Sequence, residues 1–175
     1  MKKAQLAVET LMIYGIAILI VMVAIGALIG FGVLDLGGLL PDTCSITGAS
    51  LTCDEYYFSK STGLNMEITN NLGKNLESLN LTSLKPSDKN DQGLVQCDLS
   101  TQQVSFTVDG TNPVSATNPL INGEKASLSA INCLPAQSLK AGKKISLNFE
   151  LSYKTVGSNL QNRKVSGKMR VTIVE

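Results

Sequence analysis

Residues 11–34 read LMIYGIAILIVMVAIGALIGFGVL, twenty-four positions without a single charge. At about 1.5 Å per residue a helix of this length runs about 36 Å, enough to cross a hydrocarbon layer of roughly 30 Å. No polar face recurs at helical spacing, so the segment does not read as a helix lying on a surface. The rest of the chain is too small to enclose so long an apolar rod, and a buried core helix fits poorly. The stretch therefore predicts a hydrophobic helix, assigned to residues 5–41. Gly37-Gly38 and Pro41 are expected to end it, because glycine frees the backbone and proline cannot extend the ladder. Residues 35–42 then form a hinge to whatever follows.

The flanks orient the segment. Lys2 and Lys3 precede it, Asp35 and Asp42 follow it, and the next basic residue is Lys60. The excess of Lys on the leading side puts the N-terminus in the cytoplasm and residues 42–175 outside. An ordinary secretory signal is the competing reading. Its apolar region is normally only about 7–15 residues with a small-residue cleavage site behind it, whereas VLDLGGLLPD at residues 33–42 has no clear site of that kind. Inside the run, Gly26 and Gly30 make a GxxxG step, and Ala17, Ala24, Ala27 and Gly32 add further gaps. Small residues let helix backbones approach closely, although the motif alone is common in apolar helices.

The whole chain of 175 residues carries 15 basic and 14 acidic side chains, a formal net charge of +1. That balance argues against a nucleic-acid partner, which normally requires a basic patch. His is absent, which removes the side chain most used for proton transfer near neutrality and the commonest zinc ligand. The four cysteines, Cys44, Cys53, Cys97 and Cys133, form no CxxC pair. An even count behind a membrane segment favours two disulfides in an oxidising exterior over four buried thiols. Three connectivities are open, and locality favours Cys44–Cys53 with Cys97–Cys133.

The chain begins Met1-Lys2-Lys3-Ala4-Gln5-Leu6-Ala7-Val8-Glu9. This resembles the class III signal peptide of archaeal type IV pilins: a short basic leader, a small residue, a cut ahead of Gln, and an acid at the fifth position after the cut. Ala7 stands where that family frequently has Ser. The resemblance covers roughly residues 1–40, and beyond them only a general style of β-rich outer domain. It implies that residues 1–4 are a leader removed between Ala4 and Gln5 by a prepilin peptidase. It implies that Glu9 pairs with the new N-terminus of a neighbouring subunit and sets register, so that the helix serves first as membrane anchor and later as filament core. An assembly ATPase and a membrane platform protein are the implied partners, together with further copies of the chain in a helical homopolymer. Glu9 at headgroup level with no specific job is the simpler alternative. A singly anchored surface binding protein, a minor pilin and an archaellin-like subunit are the other readings.

Past residue 42 the pattern changes period. Ile145, Leu147, Phe149, Leu151 and Tyr153 alternate with polar residues, as do Met169, Val171 and Ile173, and Leu64, Met66 and Ile68. Val104, Phe106 and Val108 do so in part, and Leu76, Leu79 and Leu81 suggest a strand near Asn80. This is strand periodicity. Turn signals separate the runs at Asn70-Asn71 with Gly73, Pro86-Ser87-Asp88, Asp109-Gly110, Asn122-Gly123, Ala141-Gly142 and Gly157-Ser158-Asn159. The expectation is an α+β chain: the long helix followed by an antiparallel, immunoglobulin-like β-sandwich of about seven strands over residues 42–175. Asn80-Leu81-Thr82 is the one N-x-[ST] sequon and a candidate glycosylation site, or else an ordinary turn Asn. Asp54-Glu55, and Asp88 with Asp91, are acidic pairs without EF-hand spacing. No nucleophile has a His base, and neither catalysis nor a metal or cofactor is expected. A structural subunit of an extracellular, cell-surface adhesion filament is the expected function.

Overall fold

A computed structural model of the chain describes residues 2–30, 40–88, 92–97, 99, 104–159 and 162–175, with the backbone alone for residues 2–8. The chain divides into two compact units, residues 1–40 and 41–175. In the first, helix α1 covers Lys2–Gly30. Leu, Ala and Met favour the helix, and the many Ile and Val, weaker helix formers in water, are at home where no solvent competes for backbone hydrogen bonds. Of the expected hinge, Asp35, Gly37 and Gly38 lie outside the described residues, as does Gly32.

The second unit is built of strands, in the order β1 (Thr43–Thr47), β2 (Leu51–Ser59), β3 (Gly63–Asn70), β4 (Leu76–Pro86), β5 (Val95–Cys97), β6 (Val104–Ser105), β7 (Thr107–Val108), β8 (Asn112–Pro113), β9 (Lys125–Ala130), β10 (Cys133–Pro135), β11 (Lys144–Thr155) and β12 (Arg163–Val174). Seven of these, β1 to β4, β9, β11 and β12, are five residues or longer. The other five are two or three residues long, too short to leave a periodic trace in sequence.

Pairing runs β6-β4-β11-β12-β2-β3-β9-β7-β8, with β1 also on β12 and β5 paired with β10. All contacts are antiparallel except β12–β2, where only Ile173–Phe58 and Val174–Ser59 pair. The path folds into a sandwich closed towards a barrel. A first sheet holds β6, β4, β11, β12 and β1, and a second holds β2, β3, β9, β7 and β8. The two are joined at the β12–β2 corner. They are joined again where the chain passes from β6 through Phe106 to β7, and at the Leu76–Leu120 bridge. The single strand expected over Val104–Val108 is therefore two, because Phe106 turns the chain from one sheet to the other. Phe106 is fully buried at that crossing.

The core lies between the sheets. Leu147, Phe149, Leu151 and Tyr153 face Leu79, Leu81 and Leu84 across β4–β11, and Val165, Met169, Val171 and Ile173 continue it on β12. The inward leucines of β4 step by three, two and three residues, which a flat strand cannot do. Two register shifts reconcile them: Glu77 and Thr82 are extra residues without a partner on β11. Each bulge returns the next leucine to the core face. The third buried strand, β3, supplies Leu64, Met66 and Ile68, and β2 supplies Phe58.

Gly167 sits in register opposite Phe149. A Cβ there would fall inside the contact distance of the Phe149 ring, so the ring occupies the space a side chain would need. Gly167→Ala is expected to lower the unfolding free energy by about 1–3 kcal/mol, as overpacking does. Combining it with Phe149→Leu should cost less than the sum of the two changes. Urea denaturation of the full chain, followed by tyrosine fluorescence, measures both.

Candidate functional site

Helix α1 is the feature with no counterpart in an ordinary folded domain. Every residue from Glu9 to Gly30 is exposed, and this 22-residue span has a mean hydropathy of 2.8. Fourteen large apolar side chains stand on it uncovered, from Leu11 at 76% exposure to Ile29 at 60%. Covering a large apolar side chain is worth about 1.5–3 kcal/mol, so fourteen represent about 20–40 kcal/mol. That exceeds the roughly 5–15 kcal/mol by which a domain is stable. In water the helix therefore requires a cover, and it is long and apolar enough to anchor in a membrane.

Within this span Glu9 is the sole charge, at the leading end. Gly26 and Gly30 lie one turn apart on one face, and a Cβ added at either meets nothing within 4 Å. They are notches open to an approaching backbone. Ala4 and Gln5 belong to the first turns of the same helix.

Where the chain enters the outer domain, Asp42 is held fast. The Thr172 hydroxyl donates to Asp42 Oδ1 at 2.9 Å and the Thr172 N–H to Oδ2 at 3.1 Å, while Lys144 Nζ lies 3.4 Å away. Asp42 thus extends the β1–β12 contact and binds β11 as well. Asp42, the last residue of the expected hinge and the first of the expected domain, is tied to the domain's strands. Partial burial pushes the Asp42 carboxyl up, but hydrogen bonds from Thr172 and Lys144 and the Lys144 charge outweigh it and leave the group below its ordinary value. Partial burial, and secondarily the charge of the same carboxylate, raise the neighbouring Tyr56 hydroxyl.

Two disulfides brace the domain and point to an extracellular, oxidising location. Cys44–Cys53 ties β1 in the first sheet to β2 in the second, and Cys97–Cys133 joins register partners on β5 and β10. There are no free cysteines among the described residues.

Asn80 is not a turn residue. It lies inside β4, half-buried between Ser105 of β6 and Ser152 of β11, with Ser105 Oγ donating to its Oδ1 at 2.8 Å. Thr82 of the sequon donates to the Glu150 carbonyl at 3.1 Å. The acidic pairs fare differently. Asp54 accepts from Thr69 and lies 3.8 Å from Lys125, and Asp91 is outside the described residues. No group of three or more His, Cys, Asp and Glu among the described residues can hold a metal ion.

The Asp42 clamp escaped the sequence because its partner is 130 residues away. Its only trace is an acid directly ahead of a strand. Comparison of the chain with protein-family models, with curated proteins and with solved structures found no match.

Two outcomes follow. The chain-entropy cost of closing a loop grows with its length, so the separations of 9 and 36 residues set an order. Replacing Cys97 and Cys133 by Ser should lower the unfolding free energy by about 4 kcal/mol, and replacing Cys44 and Cys53 by about 3 kcal/mol. Chemical denaturation of the two double variants tests the ranking. For Asp42, a carboxyl depressed in the folded state stabilises fully above the unfolded value of about 3.9, and that contribution is lost as pH falls through the folded value. Asp42→Asn should therefore melt lower than the parent at pH 6, and the difference should shrink below about pH 4. Thermal melting across pH reads it directly.

Proposed function

We propose that this chain is the structural subunit of a cell-surface, type IV pilus-like adhesion filament, and that its role is assembly rather than catalysis. The observation that carries the reading is α1: a helix apolar on every side, with one acid at its leading end, joined to a disulfide-braced β domain. A plain anchor needs the apolar length. It does not need a charge at the boundary or a row of open notches.

In this reading α1 first lies in the cytoplasmic membrane with its N-terminus inside, Lys2 and Lys3 holding that orientation. Removal of residues 1–4 leaves an ammonium on Gln5 at the positive end of the helix. Glu9, one turn further along, is placed to pair with the ammonium of a neighbouring copy. Two unpaired charges in an apolar core are expensive, so only registers that bring them together are favoured. Moving from lipid to a bundle of identical helices exchanges one apolar cover for another. The notches at Gly26 and Gly30 permit close contact within the bundle. The prepilin peptidase, ATPase and platform protein are the partners this reading requires. The domain of residues 42–175 forms the outer surface, and Asn80 is its glycan acceptor.

Surface filaments sheared from cells making this chain should contain a polypeptide that starts at Gln5, as read by N-terminal sequencing. Glu9→Ala should reduce sheared filament at least tenfold while the chain still accumulates in the membrane fraction. Recovery of only the Met1 form from membranes, or normal filaments from Glu9→Ala, would falsify the reading.

A further inference from the structure

The outer face of the second sheet carries a cavity that filament assembly leaves unused. β2, β3 and β9 run side by side there, and their register sets Tyr57, Asn65 and Ser129 in one row across the strands. The next row holds Glu67, Ser127 and Thr107. A bulge in β2 between Cys53 and Tyr56 sets Asp54 and Glu55 together opposite Glu67, so both acids stay on the outer face. Glu55, Tyr57, Asn65, Thr107, Ser127 and Ser129 are among the residues lining an open cavity of about 260 Å³.

Tyr57 is not explained by the core. Phe58, its neighbour, takes the inward position and is fully buried, while Tyr57 remains 48% exposed. An exposed aromatic ring thus lines the cavity beside hydroxyl, amide and carboxylate groups, with Met66 and Leu128 contributing apolar edges. Such a lining selects by exclusion. A phosphate or carboxylate ligand would meet Glu55 and Glu67 with no cation in the lining, and the nearby Lys125 ammonium is already engaged 2.6 Å from Glu67. A wholly hydrocarbon ligand could touch Met66 and Leu128 but would leave the Asn65, Ser127 and Ser129 groups dehydrated without partners, which is costly. A sugar ring meets both requirements. Its flat C–H face is apolar and stacks on an aromatic ring, and its rim of hydroxyls donates and accepts. The volume lies below the roughly 300–1,000 Å³ of sites that enclose drug-sized ligands, which suits one ring with its neighbours left outside.

We propose that this cavity binds a single neutral pyranose unit of a saccharide, stacked on Tyr57, with its hydroxyls held by Asn65, Ser129 and the Glu55 carboxylate. The site is complete within one chain. It operates in a filament or in a singly anchored protein alike, so its test is independent of assembly.

The full chain in lipid nanodiscs, probed by saturation-transfer-difference NMR with methyl α-mannoside, methyl α-glucoside, methyl β-galactoside and N-acetylglucosamine, decides it. At least one sugar should show saturated ring C–H protons, at millimolar affinity as befits so small a ligand in an open site. Binding should weaken about tenfold in Tyr57→Ala, equivalent to about 1.4 kcal/mol, and survive in Tyr57→Phe, which keeps the ring. Ser129→Phe, which fills the cavity from an exposed strand face, should abolish it. Disulfide content and near-ultraviolet circular dichroism report folding of each variant, and Ser129→Phe with Tyr57→Phe decide the matter if Tyr57→Ala does not fold. Absence of saturation for every sugar, unchanged binding in Ser129→Phe, or saturation of choline alone overturns the proposal. The last result would mark a site for organic cations.

Discussion

A strand interior must pair its N–H and C=O groups on both sides, and β12 meets that requirement with three different partners. Along one edge it binds β11 from Arg163 to Thr172. Along the other it binds β1 over Ser166–Arg170 and then β2 at Ile173 and Val174. The change of partner on that second edge is what turns one sheet into the other. The inward residues of β12 close the core beneath the turn, and Gly167 leaves room for Phe149 at the point where β11, β12 and β1 are in register. Asp42 and the Cys44–Cys53 bond both sit on this corner. The outer domain is thus organised around one seam, and the shorter strands fill in at its margins.

The two units answer to different solvents. The β domain hides its apolar residues between sheets and shows water a face of Ser, Thr, Asn and Lys. The helix does the reverse along its whole described length beyond residue 8, with no polar face and nothing buried. No single medium suits both, and a membrane that takes up the helix while water surrounds the β domain would suit each. A filament with helices inside and β domains outside reproduces at larger scale the partition that the membrane imposes on one copy. This continuity of environment is the physical attraction of the filament reading.

Much of this was legible in the residues, for reasons that differ by segment. The helix declares itself through the absence of charge over residues 10–34. β3, β11 and β12 declare themselves through clean alternation, because one face of each lies against the core. β4 was visible only in part, since the bulges at Glu77 and Thr82 break the period. β2 was hidden for the same reason: its bulge at Asp54-Glu55 precedes three consecutive aromatics, Tyr56, Tyr57 and Phe58, which leave no alternation to read. In β9 the inward residues Ala126 and Ala130 are small, and their burial is conferred by neighbours rather than by their own size. The Asp42 clamp and the Tyr57–Asn65–Ser129 row depend on pairing between distant segments. No local pattern encodes them.

The Cys44–Cys53 bond also determines how the domain would bear load. A pull on the chain ahead of Pro41 reaches the domain at Asp42 and then at Cys44, the second residue of β1. With the sulfurs joined, tension passes directly to Cys53 in β2, and the segment between them is a slack bypass that cannot be paid out. β1 cannot be peeled from β12 residue by residue. Beyond Cys53 the strain is shared along the long antiparallel pairing of β2 with β3, where resistance is lateral and many hydrogen bonds must break together. A covalent shunt at the entrance makes the outer domain a short, stiff link instead of a spool.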